Sequence, residues 1–217
     1  MPLQNRVDPF GEIHSTPARG LFTGNRGVIH DPDSRTLLKR RWTSRAWIVC
    51  ECAFRGRSRE VMGRNAPRGG AGWTELFFLD EVTALAAGHR PCFYCRRERA
   101  KRFSRCLAQA LHRPGIRAPE IDALLHAQRW ASAGSRETVE PEELHRLPDA
   151  TVVASGGTAY ALRAGLLLPW SFDGYGKPRP GALPAVISIV TPSATRAALA
   201  AGYQPVWHPT APVEDRT

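Results

Sequence analysis

The sequence predicts an α+β fold in two parts. An Arg-rich N-terminal region of short strands and helices, organised by zinc, precedes a small β-rich domain that carries one helix. Three observations lead there. β-forming runs and helical apolar stripes alternate through the first 131 residues, and a Cys-x-x-Cys pair sits in the turn between two of the helices. Beyond a polar, Pro-containing stretch at 132–142, the pattern changes to short β-forming runs separated by Gly-rich turns. The expected division is therefore 1–131, a linker at 132–142, and 143–217.

Residues 1–35, rich in Gly, Pro, Asp and Arg, predict loops with one or two short strands. The first firm element is Arg41 to Phe54, whose core Trp47-Ile-Val-Cys-Glu-Cys-Ala-Phe is made of good β-formers. Strand alternation puts Ile48, Cys50, Cys52 and Phe54 on one face. The Arg- and Gly-rich stretch 55–72 predicts a loop, and Trp73 to Phe78 a short strand. Asp80 suits the N-cap of a helix through Ala87, with Gly88 placed to end it in the left-handed conformation. A second helix runs from Arg97 to His112, its stripe formed by Ala100, Phe103, Leu107 and Leu111 with Cys106 nearby. Pro119 opens a third over 120–131. In the last part, Thr151-Val-Val-Ala, Ala159-Tyr-Ala-Leu-Arg, Leu166-Leu-Leu-Pro-Trp and Ala185-Val-Ile-Ser-Ile-Val read as strands. Thr191-Pro192 opens a helix ending at Gly202, and Gln204-Pro-Val-Trp closes the chain as a final strand. Ala84-Leu-Ala-Ala-Gly-His-Arg-Pro is echoed by Ala198-Leu-Ala-Ala-Gly-Tyr-Gln-Pro, which shared helix-stop chemistry or duplication would produce.

Composition narrows the class. The chain has 217 residues, 42% hydrophobic and 23% charged, as globular proteins do. No apolar run approaches the roughly 18 to 20 residues a membrane span needs, and the N-terminus has no secretory-type segment, so a cytoplasmic protein without a membrane partner is expected. The net charge of +10 is unevenly spread. Residues 1–117 hold 22 Lys and Arg against 10 Asp and Glu, whereas 118–217 hold 8 against 10. A positive excess confined to one half points to a surface facing a polyanion.

Five cysteines in such a chain indicate metal or redox chemistry rather than a disulfide framework. Cys92 and Cys95, three residues apart in a tight turn, can reach one tetrahedral zinc at about 2.3 Å. A redox pair shares that spacing. Cys50 and Cys52 complete the candidate metal set, and small core residues beside Ile48 and Phe54 are the alternative. His14, His30 and His89 are further candidates should that pair fail, with packing the stronger role for His89. Cys106 belongs to the core.

Residues 77–99, above all Ala84-Leu-Ala-Ala-Gly-His-Arg-Pro-Cys-Phe-Tyr-Cys-Arg, resemble the second half of an Ada-type metal-binding domain. That signature is a short helix ending Ala-Ala-Gly, an aromatic residue, Arg-Pro-Cys, two residues and Cys. The resemblance implies structural zinc held by four cysteines, contact with the DNA backbone, Cys92 and Cys95 as the second ligand pair, and Arg90 as a structural or phosphate-facing residue. In that family one ligand cysteine also accepts a methyl group from a damaged phosphate. The family's first pair is Cys, three residues, Cys; here Cys50 and Cys52 stand one residue apart and far upstream. The whole chain also resembles a bacterial protein family with the same opening and the same His-Arg-Pro-Cys…Cys-Arg-Arg segment.

Cations interleave with aromatic rings in Lys39-Arg-Arg-Trp-Thr-Ser-Arg-Ala-Trp47 and recur in Arg55-Gly-Arg-Ser-Arg59 and Arg96 to Arg105. Arg40, Arg41, Arg45, Arg90, Arg96, Arg97, Lys101 and Arg105 are the candidate phosphate contacts. The leading expectation is a zinc-containing protein that binds nucleic acid, DNA before RNA, as an accessory factor in repair or processing. An enzyme acting on nucleic acid is the alternative, either a metal-dependent nuclease using His14, His30 and Asp31 or a cysteine alkyl acceptor. A Cys-x-x-Cys redox or interaction protein is the third.

Overall fold

A computed structural model describes residues 1–56, 59–131, 136–178 and 186–212. The expected loop cation Arg57, the first four residues of the expected linker (132–135), and Ala185 of an expected strand lie outside the described residues. In chain order come β1 (Gln4–Val7), β2 (Ile13–Ser15), β3 (Phe22–Asn25), β4 (His30–Asp31), β5 (Thr36–Leu37), β6 (Ile48–Glu51) and β7 (Leu76–Phe78), and then α1 (Glu81–Ala86). They are followed by β8 (Arg90–Pro91), α2 (Arg97–Ala110), α3 (Ala118–Ala131), β9 (Thr138–Val139) and a 3-10 turn at Pro141–Arg146. The strands β10 (Val152–Ser155), β11 (Thr158–Arg163), β12 (Leu166–Ser171), β13 (Gly174–Tyr175) and β14 (Ile187–Ile189) lead to α4 (Ser193–Ala200). The mixed α+β class holds.

The first sheet has the order β2-β1-β7-β3-β6-β8 and the second β13-β12-β11-β10-β14-β9, with β4 and β5 forming a separate hairpin. In the first sheet β1/β7 and β6/β8 are parallel and the other neighbours antiparallel. The second is antiparallel throughout. The N-terminal stretch thus supplies four strands, more than its Gly and Pro content suggests, because two of them, β1 and β3, pair with the distant strands β6 and β7. Gly24 shows why one is needed there: a Cβ would lie 2.2 Å from the Ile48 carbonyl oxygen.

All six residues of α1 are buried; four are apolar, and the two polar ones, Glu81 and Thr83, are hydrogen-bonded inside the fold. Ala84 and Ala87 meet Val7, Phe22, Val49, Leu76 and Phe78 of the first sheet. Val82, Leu85 and Ala86 join Phe103 and Leu107 of α2, Ile121 and Leu125 of α3, Val152, Ala161 and Leu168 of the second sheet, and Ala198 of α4. That cluster spans both expected domains, so the two halves share a core. The far face of the second sheet packs Val153, Leu162, Leu167 and Ile187 under Leu144 of the 3-10 turn. No helix among the described residues is long and apolar enough to cross a membrane.

The two ends of α1 are fixed as its sequence predicts. Asp80 Oδ1 accepts from Thr83 N and Thr83 Oγ1, both at 2.8 Å. Its other oxygen accepts from Tyr175 OH at 2.9 Å and His208 N at 3.0 Å. At the far end Gly88 takes φ +80°, and His89 N donates to Ala84 O at 2.9 Å and Gly88 N to Leu85 O at 3.0 Å. α4 ends identically: Gly202 has φ +93°, with Tyr203 N to Ala198 O at 3.0 Å and Gly202 N to Leu199 O at 2.9 Å. The repeated Ala-Leu-Ala-Ala-Gly is therefore the same helix-stop motif used twice. The strand expected at Gln204–Trp207 does not form. Its backbone instead meets α1, with Val206 N donating to Glu81 Oε2 at 2.8 Å and Glu81 N to Val206 O at 3.1 Å.

Glu81 is the densest junction of the fold. Its fully buried carboxylate also receives Arg96 Nη2 at 2.9 Å and Tyr203 OH at 2.5 Å. Breaking a buried pair from one side leaves an uncompensated charge and costs about 3 kcal/mol or more. Glu81→Gln is accordingly expected to lower the free energy of urea unfolding by roughly 3 kcal/mol. A loss within about 0.5 kcal/mol, the usual range of surface substitutions, would contradict this role.

Candidate metal centre and basic surfaces

Parallel pairing builds the centre. β6 and β8 run side by side with Ile48 opposite Arg90 and Val49 opposite Pro91, and Cys92 N continues the ladder to Val49 O at 3.0 Å. Cys50 and Cys92 therefore leave adjacent strands at the same level, and the turn after Cys92 returns Cys95 to them. The three Sγ atoms lie within 4.8 Å of one another. Sulfurs around a tetrahedral zinc with bonds of about 2.3 Å stand roughly 3.8 Å apart. These three cysteines can hold a metal ion.

The backbone prepares the sulfurs for negative charge. Tyr94 N donates to Cys92 Sγ at 3.4 Å, and the amide of Cys95 points at the same sulfur. The amide of Glu51 serves Cys95 in turn. Without a cation the sulfurs share protons unequally. Hydrogen bonds from Cys50 and then Cys95 push Cys92 well below the ordinary thiol range. Donating to Cys92 and Cys95 holds Cys50 far above it, with burial adding to the shift. Three thiolates crowded together repel, and a divalent cation removes that conflict.

Cys52, expected as a ligand, is not part of the trio. β6 ends at Glu51, so the alternation that aligned Cys52 with Cys50 lapses. Cys52 is exposed, and its thiol points to Leu21 O at 3.4 Å. The histidines expected as substitutes are engaged elsewhere. His14 Nε2 meets Asp8 at 2.8 Å, His30 Nδ1 meets Thr74 Oγ1 at 2.7 Å, and the fully buried His89 packs between the rings of Trp47 and Phe78. Among the described residues, the cysteine trio is the one group of three or more His, Cys, Asp or Glu side chains within reach of a single ion. His14, His30 and Asp31 do not form the nuclease-type cluster. Cys106 is buried in the core, as its helix stripe implies.

The trio borders a cavity of about 470 Å³ on the face of the first sheet opposite α1. Period-2 alternation selects its floor: Thr23, Ile48, Cys50, Glu75 and Phe77 face it, while Phe22, Val49, Leu76 and Phe78 face the core. Arg59 crosses it, with Nε 2.6 Å from Glu75 Oε1 and its guanidinium over the Trp73 ring. The involvement of Glu75, Arg59 and Trp73 was not evident from their Gly-rich surroundings. Alternation about Leu76 is the one signal that would have placed Glu75 there.

The expected phosphate contacts separate into two groups. Arg40, Arg41, Arg45, Arg97, Lys101 and Arg105 are exposed, although Lys101 pairs with Glu98 at 2.9 Å and Arg41 Nη1 donates to Leu38 O at 2.7 Å. Arg90 and Arg96 lie inside the fold. Arg90 forms a two-bond pair with Asp122, both bonds 2.8 Å. Arg96, its side chain 1% exposed, joins Glu51 and Glu81, each at 2.9 Å. Neither guanidinium faces solvent phosphate; both position the Cys-x-x-Cys turn between them.

These placements predict metal content. Cys50→Ser, Cys92→Ser and Cys95→Ser are each expected to lose bound metal in emission spectroscopy, while Cys52→Ser and Cys106→Ser keep about one ion per chain. Retention by the Cys50 variant together with loss by the Cys52 variant would refute the trio. No protein-family model, curated protein or solved structure matches this chain, so function is argued from its own geometry.

Proposed function

We propose that the protein is a zinc-ordered nucleic-acid-binding protein, with DNA the favoured partner and an accessory part in DNA repair or processing its setting. One observation carries the reading. Cys92 and Cys95 of the trio belong to the turn from which α2 springs, and α2 presents Arg97, Lys101 and Arg105 outward at i, i+4 and i+8. Residues at that spacing share one helix face, and a row of cations there matches a phosphate backbone. The sulfur donors fit zinc: three thiol groups with amide donors supply the soft ligands that zinc takes. Zinc held there would tie β6 to the start of α2. The Ada-type resemblance over residues 77–99 agrees with a metal turn that sets a cationic surface. All five cysteines are free thiols, which suits a reducing compartment such as the cytoplasm.

A second reading rests on the cavity. Three protein ligands leave zinc one coordination position, and the sulfurs border an open space of about 470 Å³. A ligand entering it reaches the sulfurs, as alkyl acceptance requires. A thiolate sulfur would bond the alkyl carbon of an alkylated phosphate as the carbon–oxygen bond breaks, and the phosphodiester would leave as its anion. A gain of one methyl in intact protein mass after incubation with methylated DNA would favour this reading, and an unchanged mass would remove it.

Binding to duplex and single-stranded DNA, followed by fluorescence anisotropy, is expected to weaken steeply between 50 and 200 mM salt, with log K falling, per tenfold rise in salt, by roughly 0.9 for each phosphate neutralised on duplex and about 0.7 on single strands. Replacing Arg97, Lys101 and Arg105 together by Ala is expected to reduce the slope by about 2 to 3. An unchanged slope and affinity would take the α2 face out of the interface.

A further inference from the structure

The pair next in line after Asn25 and Ile48 on β3 and β6 is Arg26 and Trp47. This pair opens a second cavity, of about 320 Å³, at the end of the sheet away from the cysteines. Four guanidinium groups line it, from Arg26, Arg41, Arg129 and Arg136, together with the rings of Trp42 and Trp47. Arg26 and Arg129 both lie over the Trp47 ring, at 3.8 and 4.1 Å from its centre. Cation–π contact lowers the cost of bringing two like charges together, but it does not neutralise them.

Arg26 is 2% exposed. Its Nη1 donates to Gly11 O at 2.9 Å and its Nε faces His89 at 3.4 Å, but its Nη2 is buried with no hydrogen-bond partner among the described residues. Arg129 donates to the carbonyls of Gly88 and Arg45, at 2.7 and 2.9 Å, while its Nε is also buried with none among the described residues. Trp47 Nε1 is in the same condition among those residues. The acids nearby do not settle the charge. Glu12 lies exposed at the rim, Asp8 is engaged by His14 and by the Glu12 amide, and Asp122, the acid that acts on Arg129, is held by both bonds of Arg90. Burial, then the proximity of Arg129, lowers Arg26 to about 9, so it stays cationic at neutral pH. Buried donors without acceptors cost free energy, and native folds leave few of them without a reason.

We propose that this cavity binds a phosphate monoester carried on a planar ring: the phosphate on Arg26 and Arg129, closed over by Arg41 and Arg136, and the ring against Trp42 and Phe10. Guanidinium donors match phosphate oxygens in pairs. Arg136 lies over the Phe10 ring with its charge 5.0 Å from the centre, holding the outer wall. The volume suits one nucleotide, at the small end of ligand cavities. A free mononucleotide and the phosphorylated end of a strand offer this same chemistry. No cysteine of the trio and no residue of α2 lines this cavity, so it stands if backbone binding on the α2 face fails.

The test is calorimetric titration of the purified, metal-loaded full chain at fixed ionic strength. The probes are inorganic phosphate, adenosine 5′-monophosphate, and a short oligonucleotide with a 5′-phosphate beside its 5′-hydroxyl twin. Saturable binding of phosphate is expected, with the nucleotide roughly tenfold tighter through stacking. Arg26→Met is expected to weaken phosphate at least tenfold. Should that variant not fold, the rim variants Arg41→Ala and Arg136→Ala carry the test, each losing several-fold. A preference for the phosphorylated strand over its twin identifies a strand end, and tight binding of the free nucleotide alone identifies a small molecule; both uphold the site. Heat changes no larger than those given by chloride at equal ionic strength, or full binding by the double rim variant, would overturn it.

Discussion

The structure turns on one buried cation. Arg96 follows Cys95 directly, and its guanidinium holds Glu51, which follows Cys50, and Glu81, which opens α1. It also lies over the Phe22 ring, 4.2 Å from the centre. The two arms of the cysteine centre are thus joined a second time by an ion pair one residue beyond the sulfurs. Buried pairs add little net stability compared with apolar packing, because desolvation offsets their attraction. What they impose is uniqueness: with Arg96 and Glu81 both buried, any arrangement that separates the start of α2 from α1 leaves charges without partners. Glu81 carries the constraint further through Tyr203 and Val206, so the C-terminal segment is tied to the metal turn without touching a cysteine.

This explains why the charge balance of the sequence overstates the cationic surface. The 22 basic residues of the first 117 include Arg26, Arg90 and Arg96, all buried. Arg99 and Arg102 of α2 donate to the carbonyls of Gln204 and Gly202 near the end of α4. Arg is suited to such places because its planar fork can meet two acceptors at once and lie flat on a ring. The cationic surface left for a polyanion is a smaller set, on α2, in the 39–47 stretch and at scattered positions such as Arg19, Arg55 and Arg68.

What could be read from the sequence was local. Asp80 and Gly88 bounded α1 because capping and left-handed glycine act within a few residues, and the stripe of Phe103 and Leu107 placed α2. Cys92 and Cys95 were visible for the same reason. Their third partner was not separable from Cys52, because choosing between Cys50 and Cys52 depends on where β6 stops and on its parallel pairing with β8, about 40 residues away. The shared core was hidden too: Val152 and Ala161 meet α1 and α2 by a packing no local pattern encodes. Arg26 falls in the stretch 1–35 that reads as loops with one or two short strands, since burial of an arginine depends on what closes over it.

β6 lies between the two cavities, and this relates them physically. Cys50 faces the first and Trp47, three residues earlier, faces the second, a separation of about 10 Å along an extended strand. A strand in a paired sheet is stiff over that distance, and β6 is held on both sides, by β3 and β8. Fixing Cys50 in a metal centre therefore also fixes the height and tilt of the Trp47 ring on which Arg26 and Arg129 rest. Without that anchor, β6 would keep its antiparallel bonds to β3, but β8 contributes only a two-residue ladder. An ion held by Cys50 and the arginine cavity would then share one support. Loss of the first would loosen the second through the strand itself, with no need for direct contact between their ligands.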